Sequence, residues 1–399
     1  MVGGGPLCGY RIIDVTAMIS GPLATQILAD QGADVIKIEN PAGGDHTRAS
    51  PNRGGGLSAA FLNNNRNKRS VAIDLKHERG RAVVLRLVAG ADVFVQNFRP
   101  GVAERMGLGE EAIRRAAPQI VYASISGFGE KGPMASKPAY DPLVQAFSGL
   151  ATVQGGSDEQ RPRLVRTILA DKLTAVTAAQ AITAALAARE RGAGGQHVRV
   201  SMLDSLMAFL WSSDMASQTF LGRELPQAEA ASFIDLIYET RDGYVSVAVQ
   251  TDREWQALTR ALDRPQWLAD PRFRTPALRQ RNLDARLELT QEVLRTRSSA
   301  EWLARLEAED VPCAPVLTRA DVVRHPQIVD NESVWEVDHP QAGRLRQARP
   351  AGLFSRTPPA MARGAPRLGE HTASVLAELG YSPAEIADLR AAGTIAFEE

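Results

Sequence analysis

Two cysteines are all that 399 residues hold, Cys8 and Cys313, far apart in the chain and without metal-ligand spacing. That excludes a disulfide-stapled scaffold and a cysteine-rich metal site, and fits idle thiols in a reducing compartment. No run of about 18 apolar residues occurs, so no membrane-spanning helix is expected. The opening MVGGGPLCGYR lacks a basic stretch followed by an apolar one, and no secretory signal is expected. Neither sign of charge dominates: 46 Lys and Arg stand against 46 Asp and Glu, which removes any global field toward nucleic acid or a membrane surface. Internal repeats and low-complexity tails are missing too. What remains is a cytoplasmic soluble protein of ordinary composition, 44% apolar and 23% charged. It is long enough for two domains, or for one large domain with an insertion.

Short apolar runs alternate with helical ones through the first half. Strands are expected at 11–16, 33–39, 70–75, 91–96, 120–126 and 196–202, with helices at 21–32, 77–89, near 110–117 and at 203–221. This alternation predicts βαβ units and a parallel sheet covered on both faces. From about 223 the character shifts to a smaller α+β domain, with a strand at 243–250 and helices near 253–262, 282–295 and 299–309. Beyond 330 the chain is loop-rich, then ends in helices at 372–379 and 383–391. The expected division is 1–222 for the large domain, 223–330 for the small one, and 331–399 returning to the large one.

In such sheets ligands sit beyond the carboxyl ends of the strands. There the chain places Ala17 to Pro22 after the first strand, Asp74-Leu75-Lys76 after the third, and Asn97-Phe98-Arg99 with Arg105 after the fourth. No G-x-G-x-x-G follows the first strand, so the dinucleotide fingerprint is absent. The glycines 54–56 open no helix and read as a loop tip. The basic run 63–69 is either a solvated loop or, with Arg48, Lys76, Arg99 and Arg105, a phosphate-facing edge.

The stretch 163–189 carries apolar residues at helical spacing with alanines between them and no Gly or Pro, which predicts a helix buried along much of its length. Near its start stands one carboxylate, Asp171, beside Lys172. Taken alone, an Asp there serves the free backbone N–H groups of a helix N-terminus.

The segments DVTAMISGPLATQILADQGADVIKIENPAGGD, NRNKRSVAIDLK, ADVFVQNFRPGVAERMGLG, ASISGFGEKGP and YDPLVQAFSG, in this order and with LGEHTASVLAELG at 368–380, resemble the class III CoA-transferases, the CaiB/BaiF and formyl-CoA-transferase-like group. The resemblance implies an α/β fold with a Rossmann-like large domain, a smaller α+β domain, and two subunits interlocked as a homodimer. It implies coenzyme A as substrate, carried as acyl-CoA, a free carboxylic acid as acceptor, and no metal, nucleic acid or membrane. The likeness of ILAD to the family's motif implies Asp171 as the nucleophile, a role compatible with capping. By the same likeness CoA contacts fall on Ile19, Ser20, Ile73, Asp74, Leu75, Lys76, Asn97, Phe98, Arg99, Arg105, Lys137, Ala139, Tyr140 and Asp141. Gln145 and Arg166 are candidates to meet a second carboxylate of the acid.

Three departures bear on substrate. Asn40 stands where the formyl-CoA enzymes have Arg, and 222–235 lacks their glycine-rich lid. Tyr140-Asp141 replaces the His-Asp pair of the related 2-methylacyl-CoA racemases, so deprotonation at an α-carbon lacks its expected base. His46, His77 and His197 match no racemase motif and read as surface or satisfied side chains. A racemase on the same scaffold and a non-catalytic acyl-CoA-binding protein are the alternatives to an aspartyl-linked CoA-transferase.

Overall fold

The computed structural model describes residues 4–222 and 236–397. Among these, residues 4–154, 162–222 and 333–397 form one compact unit, and residues 155–161 and 236–332 form another.

The first unit is built on a seven-stranded sheet: β1 (Arg11–Asp14), β2 (Asp34–Glu39), β3 (Lys68–Ile73), β4 (Val93–Gln96), β5 (Val121–Ser126), β6 (His197–Ser201) and β7 (Ile395–Ala396). Their spatial order is β7-β3-β2-β1-β4-β5-β6. All neighbours run parallel except β7, which pairs antiparallel with β3. Ile12 of β1 lies opposite Val35 of β2 on one side and Val93 of β4 on the other. The strands read as continuous apolar runs because both faces are buried.

Alternate residues feed two cores. Ile13, Ile36, Val71 and Phe94 meet α2 (Glu78–Val88) and the helices Thr372–Glu378 and Pro383–Ala391. Ile12, Val35, Val93 and Val121 meet α1 (Ser20–Asp30) and, beyond α3 (Asp141–Phe147), α4 (Leu169–Ala188). Ala175, Ala178, Ala179, Ile182 and Ala185 form the buried stripe of α4, and its alanines let it lie close to Ala24 and Leu28 of α1. Burial is one-sided, however: Val176 is 56% exposed, so the helix is less enclosed than its composition predicts.

Several elements differ from expectation, and the helix expected over 163–189 begins only at Leu169. The helix after β6, α5 (Met202–Trp211), stops ten residues short of 221. Ser212 and Asp214 follow, and the Ser212 hydroxyl turns back to the Phe209 carbonyl. The region expected to be loop-rich holds a hairpin, Val334–His339 with Gly343–Ala348, fastened by Glu336 to Arg344 and Arg346 across the strands. Its charged alternation hides the strand signal. Two-residue β7 has no local signal and depends on pairing with β3.

The second unit carries a three-stranded antiparallel sheet (Ile237–Glu239, Tyr244–Val247, Cys313–Pro315) under helices Asp252–Ala261, Leu283–Leu294 and Ser299–Ala308. Trp255, Trp267, Phe273 and Trp302 fill its core. Capping boxes Thr251/Glu254 and Ser298/Glu301 start two of the helices. No helix among the described residues is long and apolar enough to cross a membrane.

Candidate active site

Strand order reverses between β1 and β4, and open α/β sheets bind ligands beyond the carboxyl ends of the strands at such a switch point. One side chain ties the two loops there. Asn97 accepts from the Ala17 N–H at 3.0 Å and donates to the Ala17 carbonyl at 2.7 Å. Ser20, buried, then opens α1.

Asp171 is the third residue of α4. The residue before that helix, Ile168, has no capping side chain, and the first turn borrows its acceptor from elsewhere. Asp141, at the start of α3 and only 3% exposed, accepts the Asp171 N–H at 3.1 Å. Gln145, one turn later, donates to Asp141 at 2.5 Å and to the Thr167 carbonyl at 3.1 Å, and accepts the Val165 N–H at 3.0 Å. Both ends of its amide are thus committed to holding α3 against the segment that leads into α4. Gln145 therefore braces α3 against that segment. Its i, i+4 spacing from Asp141 was visible in the sequence, but its partners at 165 and 167 were not. Arg166 is exposed.

The Asp171 carboxylate is half-buried. Burial first, and the Asp141 charge second, push its pKa up to about 6. The Ser20 hydroxyl and backbone N–H act in the opposite direction and favour the ionised form. Ser20, Asp141 and Asp171, from three separate stretches of chain, thus come together, and Asn97 holds the loop that leads to Ser20.

The remaining predicted residues lie around this edge. Ile73 ends β3 with its side chain fully buried, Leu75 packs on the core, and Asp74 turns the chain by accepting the Lys76 N–H at 2.9 Å. Phe98 is half-buried against the core. Lys76, Arg99 and Arg105 are exposed and have no ion-pair partner among the described residues. Lys137 and Tyr140 are exposed, and Ala139 presses on Gly127, where any side chain would collide with it. Asn40 is exposed and caps its own turn, accepting the Ala42 N–H at 2.8 Å.

The phosphate-facing reading of 63–69 and Arg48 does not hold. Arg48 pairs with Glu39 at 2.6 Å and stacks on Phe61, Arg66 pairs with Asp30 at 2.7 Å, and Lys68 with Asp14 at 3.0 Å. Arg69 is shared by Asp34 and Glu378. Arg66, Lys68 and Arg69 lead into or form β3, an inner strand, where a cation must find a carboxylate. Glycines 55 and 56 turn a short hairpin, with positive φ at both. His46 is exposed, His77 caps α2, and His197 sits between Ser124 at 2.8 Å and Glu110 at 2.7 Å. Residues 223–235 of the stretch expected to lack a lid lie outside the described residues. A cavity of about 720 Å³ lined by Arg11, Asp34, Arg69 and His371 lies at the opposite, amino-terminal edge of the sheet, away from Asp171.

The fold and site define a doubly wound α/β protein with a desolvated carboxylate at the switch point. The chain belongs to CoA-transferase family III, whose family model matches residues 7–372, and it is a CoA-transferase. It is 33% identical over 398 residues to the succinyl-CoA:glutarate CoA-transferase of Homo sapiens, covering 98% of this chain and 90% of that one. To the acetyl-CoA:oxalate CoA-transferase of Acetobacter aceti it is 34% identical over 387 residues, covering 96% and 97%. A crystal structure of a CaiB/BaiF family protein from Brucella suis superposes with a TM-score of 0.83 at 31% identity, covering 94% of this chain and all of that one.

Proposed function

We propose that this CoA-transferase exchanges CoA between small carboxylic acids through covalent intermediates on Asp171. The observation that carries the reading is the Asp171 carboxylate itself, desolvated at the switch point yet faced by the Ser20 hydroxyl and N–H. Transfer between two acids exchanges one thioester for another, so the chemistry needs a covalent relay more than a driving force. An Asp171 oxygen attacks the donor thioester, forms a mixed anhydride and expels CoA thiolate. The thiolate attacks the aspartyl carbonyl, releases the first acid and leaves an aspartyl-CoA thioester. The acceptor carboxylate attacks that thioester and again frees CoA thiolate. Attack of the thiolate on the acceptor's carbonyl yields the new acyl-CoA and returns Asp171 as carboxylate. Desolvation raises the nucleophilicity of the carboxylate and protects the anhydride from water.

The exposed cations Lys76, Arg99 and Arg105 suit the phosphates of CoA, a role charge-assisted hydrogen bonds favour. The names of the relatives, which act on glutarate, succinate and oxalate, support dicarboxylates as substrates, and Arg166 is an exposed cation five residues before Asp171. The protein works as a homodimer, which would cover the apolar side chains of α3, α4 and α5 left exposed here.

The test is chemical capture. Hydroxylamine added during turnover with succinyl-CoA and a free dicarboxylate should convert Asp171 to a hydroxamate, located by peptide mass. Asp171→Ala should abolish transfer while CoA binding stays within about a few-fold. Turnover without modification of the Asp171 peptide, or substantial transfer by the Ala variant, refutes the covalent route.

A further inference from the structure

Met18 holds a backbone φ of +73°, left-handed for a residue with a Cβ, and its side chain is 40% exposed, so packing does not explain the conformation. Such strain persists only where surroundings over-determine it. Here they do. Every backbone polar group from the Thr16 N–H to the Met18 N–H, with the Ala17 pair between them, is taken by a side chain from outside the loop. Asp14 accepts the Thr16 N–H at 2.9 Å, and Lys37 donates to the Thr16 carbonyl at 2.8 Å. Asn97 takes both groups of Ala17, and Asp45 accepts the Met18 N–H at 3.2 Å. Lys37 and Asp45 meet at 3.0 Å with fully buried side chains, and Asp45 also accepts the N–H and hydroxyl of Thr47 at 2.9 and 2.8 Å. Two residues beyond Met18 comes Ser20, the residue facing Asp171. Gly21 lies so close to Thr16 that any side chain there would collide with it, so the start of α1 is folded back on the same pinned loop.

We propose that Asp45 and Lys37 are positioning residues for the transfer reaction, holding Met18 in its left-handed form so that Ser20 is presented to Asp171. The proposal rests on Asp171 being the nucleophile. Neither residue touches the reacting atoms. Asp45 removes the freedom of Met18 to relax, and Lys37 neutralises Asp45 while fixing the carbonyl two residues earlier. If the loop relaxes, Ser20 moves, and Asp171 loses the donors that keep it ionised and aimed.

Asp45→Ala removes the acceptor for the Met18 N–H and should lower kcat about ten-fold or more, with a smaller change in KM for acyl-CoA. Glycine adopts a positive φ without the Cβ penalty, so Asp45→Ala with Met18→Gly should recover several-fold of the lost kcat. Loss of a buried ion pair alone would not respond to that second change. A folded Asp45→Ala with native kcat overturns the proposal, and so does a folded double variant no faster than Asp45→Ala. Should Asp45→Ala not fold, Met18→Val decides. Its branched side chain resists φ of +73°, its site is exposed, and kcat should fall several-fold, whereas native kcat in the folded variant sinks the idea. Hydroxylamine capture on the unaltered protein separates the two readings. An unlabelled Asp171 removes the nucleophile itself, while a labelled Asp171 with rates indifferent to these variants removes only the positioning role.

Discussion

At the scale of single residues, Asp171 combines two demands that oppose each other. Burial and the Asp141 charge raise its pKa to about 6, while the attack proposed for it requires the ionised form. The rate of Asp171 acylation should therefore fall as pH drops through about 6, approaching ten-fold per unit, measured by rapid-quench labelling with succinyl-CoA. Stability carries the complementary sign. A carboxyl whose folded pKa lies above its unfolded value near 3.8 binds more protons when folded, so its contribution is fully present below pH 3.8 and is lost as pH rises through 6. Asp171→Asn should hence stabilise the protein by up to about 2–3 kcal/mol at pH 7.5, with the gain vanishing below about pH 4. Urea midpoints at the two pH values check this, and equal gains at both would contradict it. The position of Asp171 near a helix start was legible in ILAD. Its dependence on Asp141 was not, because the contact joins residues 30 apart in the chain.

At the scale of elements, β1 to β3 are tied together by charges that have no exit to water. Lys68 is fully buried and donates to Asp14 at 3.0 Å, to the Pro22 carbonyl at 2.8 Å and to Asn65 at 2.9 Å. Asp14 responds with a pKa lowered to about 2; burial works against this shift, and Lys68 and Lys37 overcome it. Lys68→Met would leave the Asp14 carboxylate buried against one cation fewer and should destabilise the large unit by about 3–5 kcal/mol, seen as a lower denaturant midpoint. A shift under 1 kcal/mol would mean that Lys37 alone suffices. The same residues show why the run 63–69 misleads when read as a string. Asn, Arg and Lys together look solvated, yet the strand they enter lies between β2 and β7 with both faces covered. Each cation has its acid elsewhere, at 14, 30, 34 and 378.

At the scale of the whole molecule, the described residues leave apolar side chains uncovered at three helices. Tyr140, just before α3, and Leu143 and Phe147 on it are 63%, 49% and 55% exposed, and Val176, Phe209 and Trp211 are similarly exposed on α4 and α5. Exposed apolar side chains in such number mark an association surface. Leu143→Glu combined with Trp211→Glu should shift the proposed dimer to monomer in sedimentation velocity, with its circular dichroism unchanged. A native protein already monomeric at micromolar concentration would remove the dimer from the proposal.

Strand and helix order, the parallel sheet and the placing of Asp171 at the head of an alanine-rich helix were determined by the sequence alone. Each is written in local periodicity, apolar runs and short motifs. Tertiary structure alone decided which cations are buried, that Gln145 braces Asp141 against residues 165 and 167, that Ser20 interacts with Asp171, and that Met18 is held in a left-handed turn. Those outcomes depend on which distant residues a parallel sheet brings to one edge, and on the desolvation that follows, neither of which any stretch of neighbouring residues encodes.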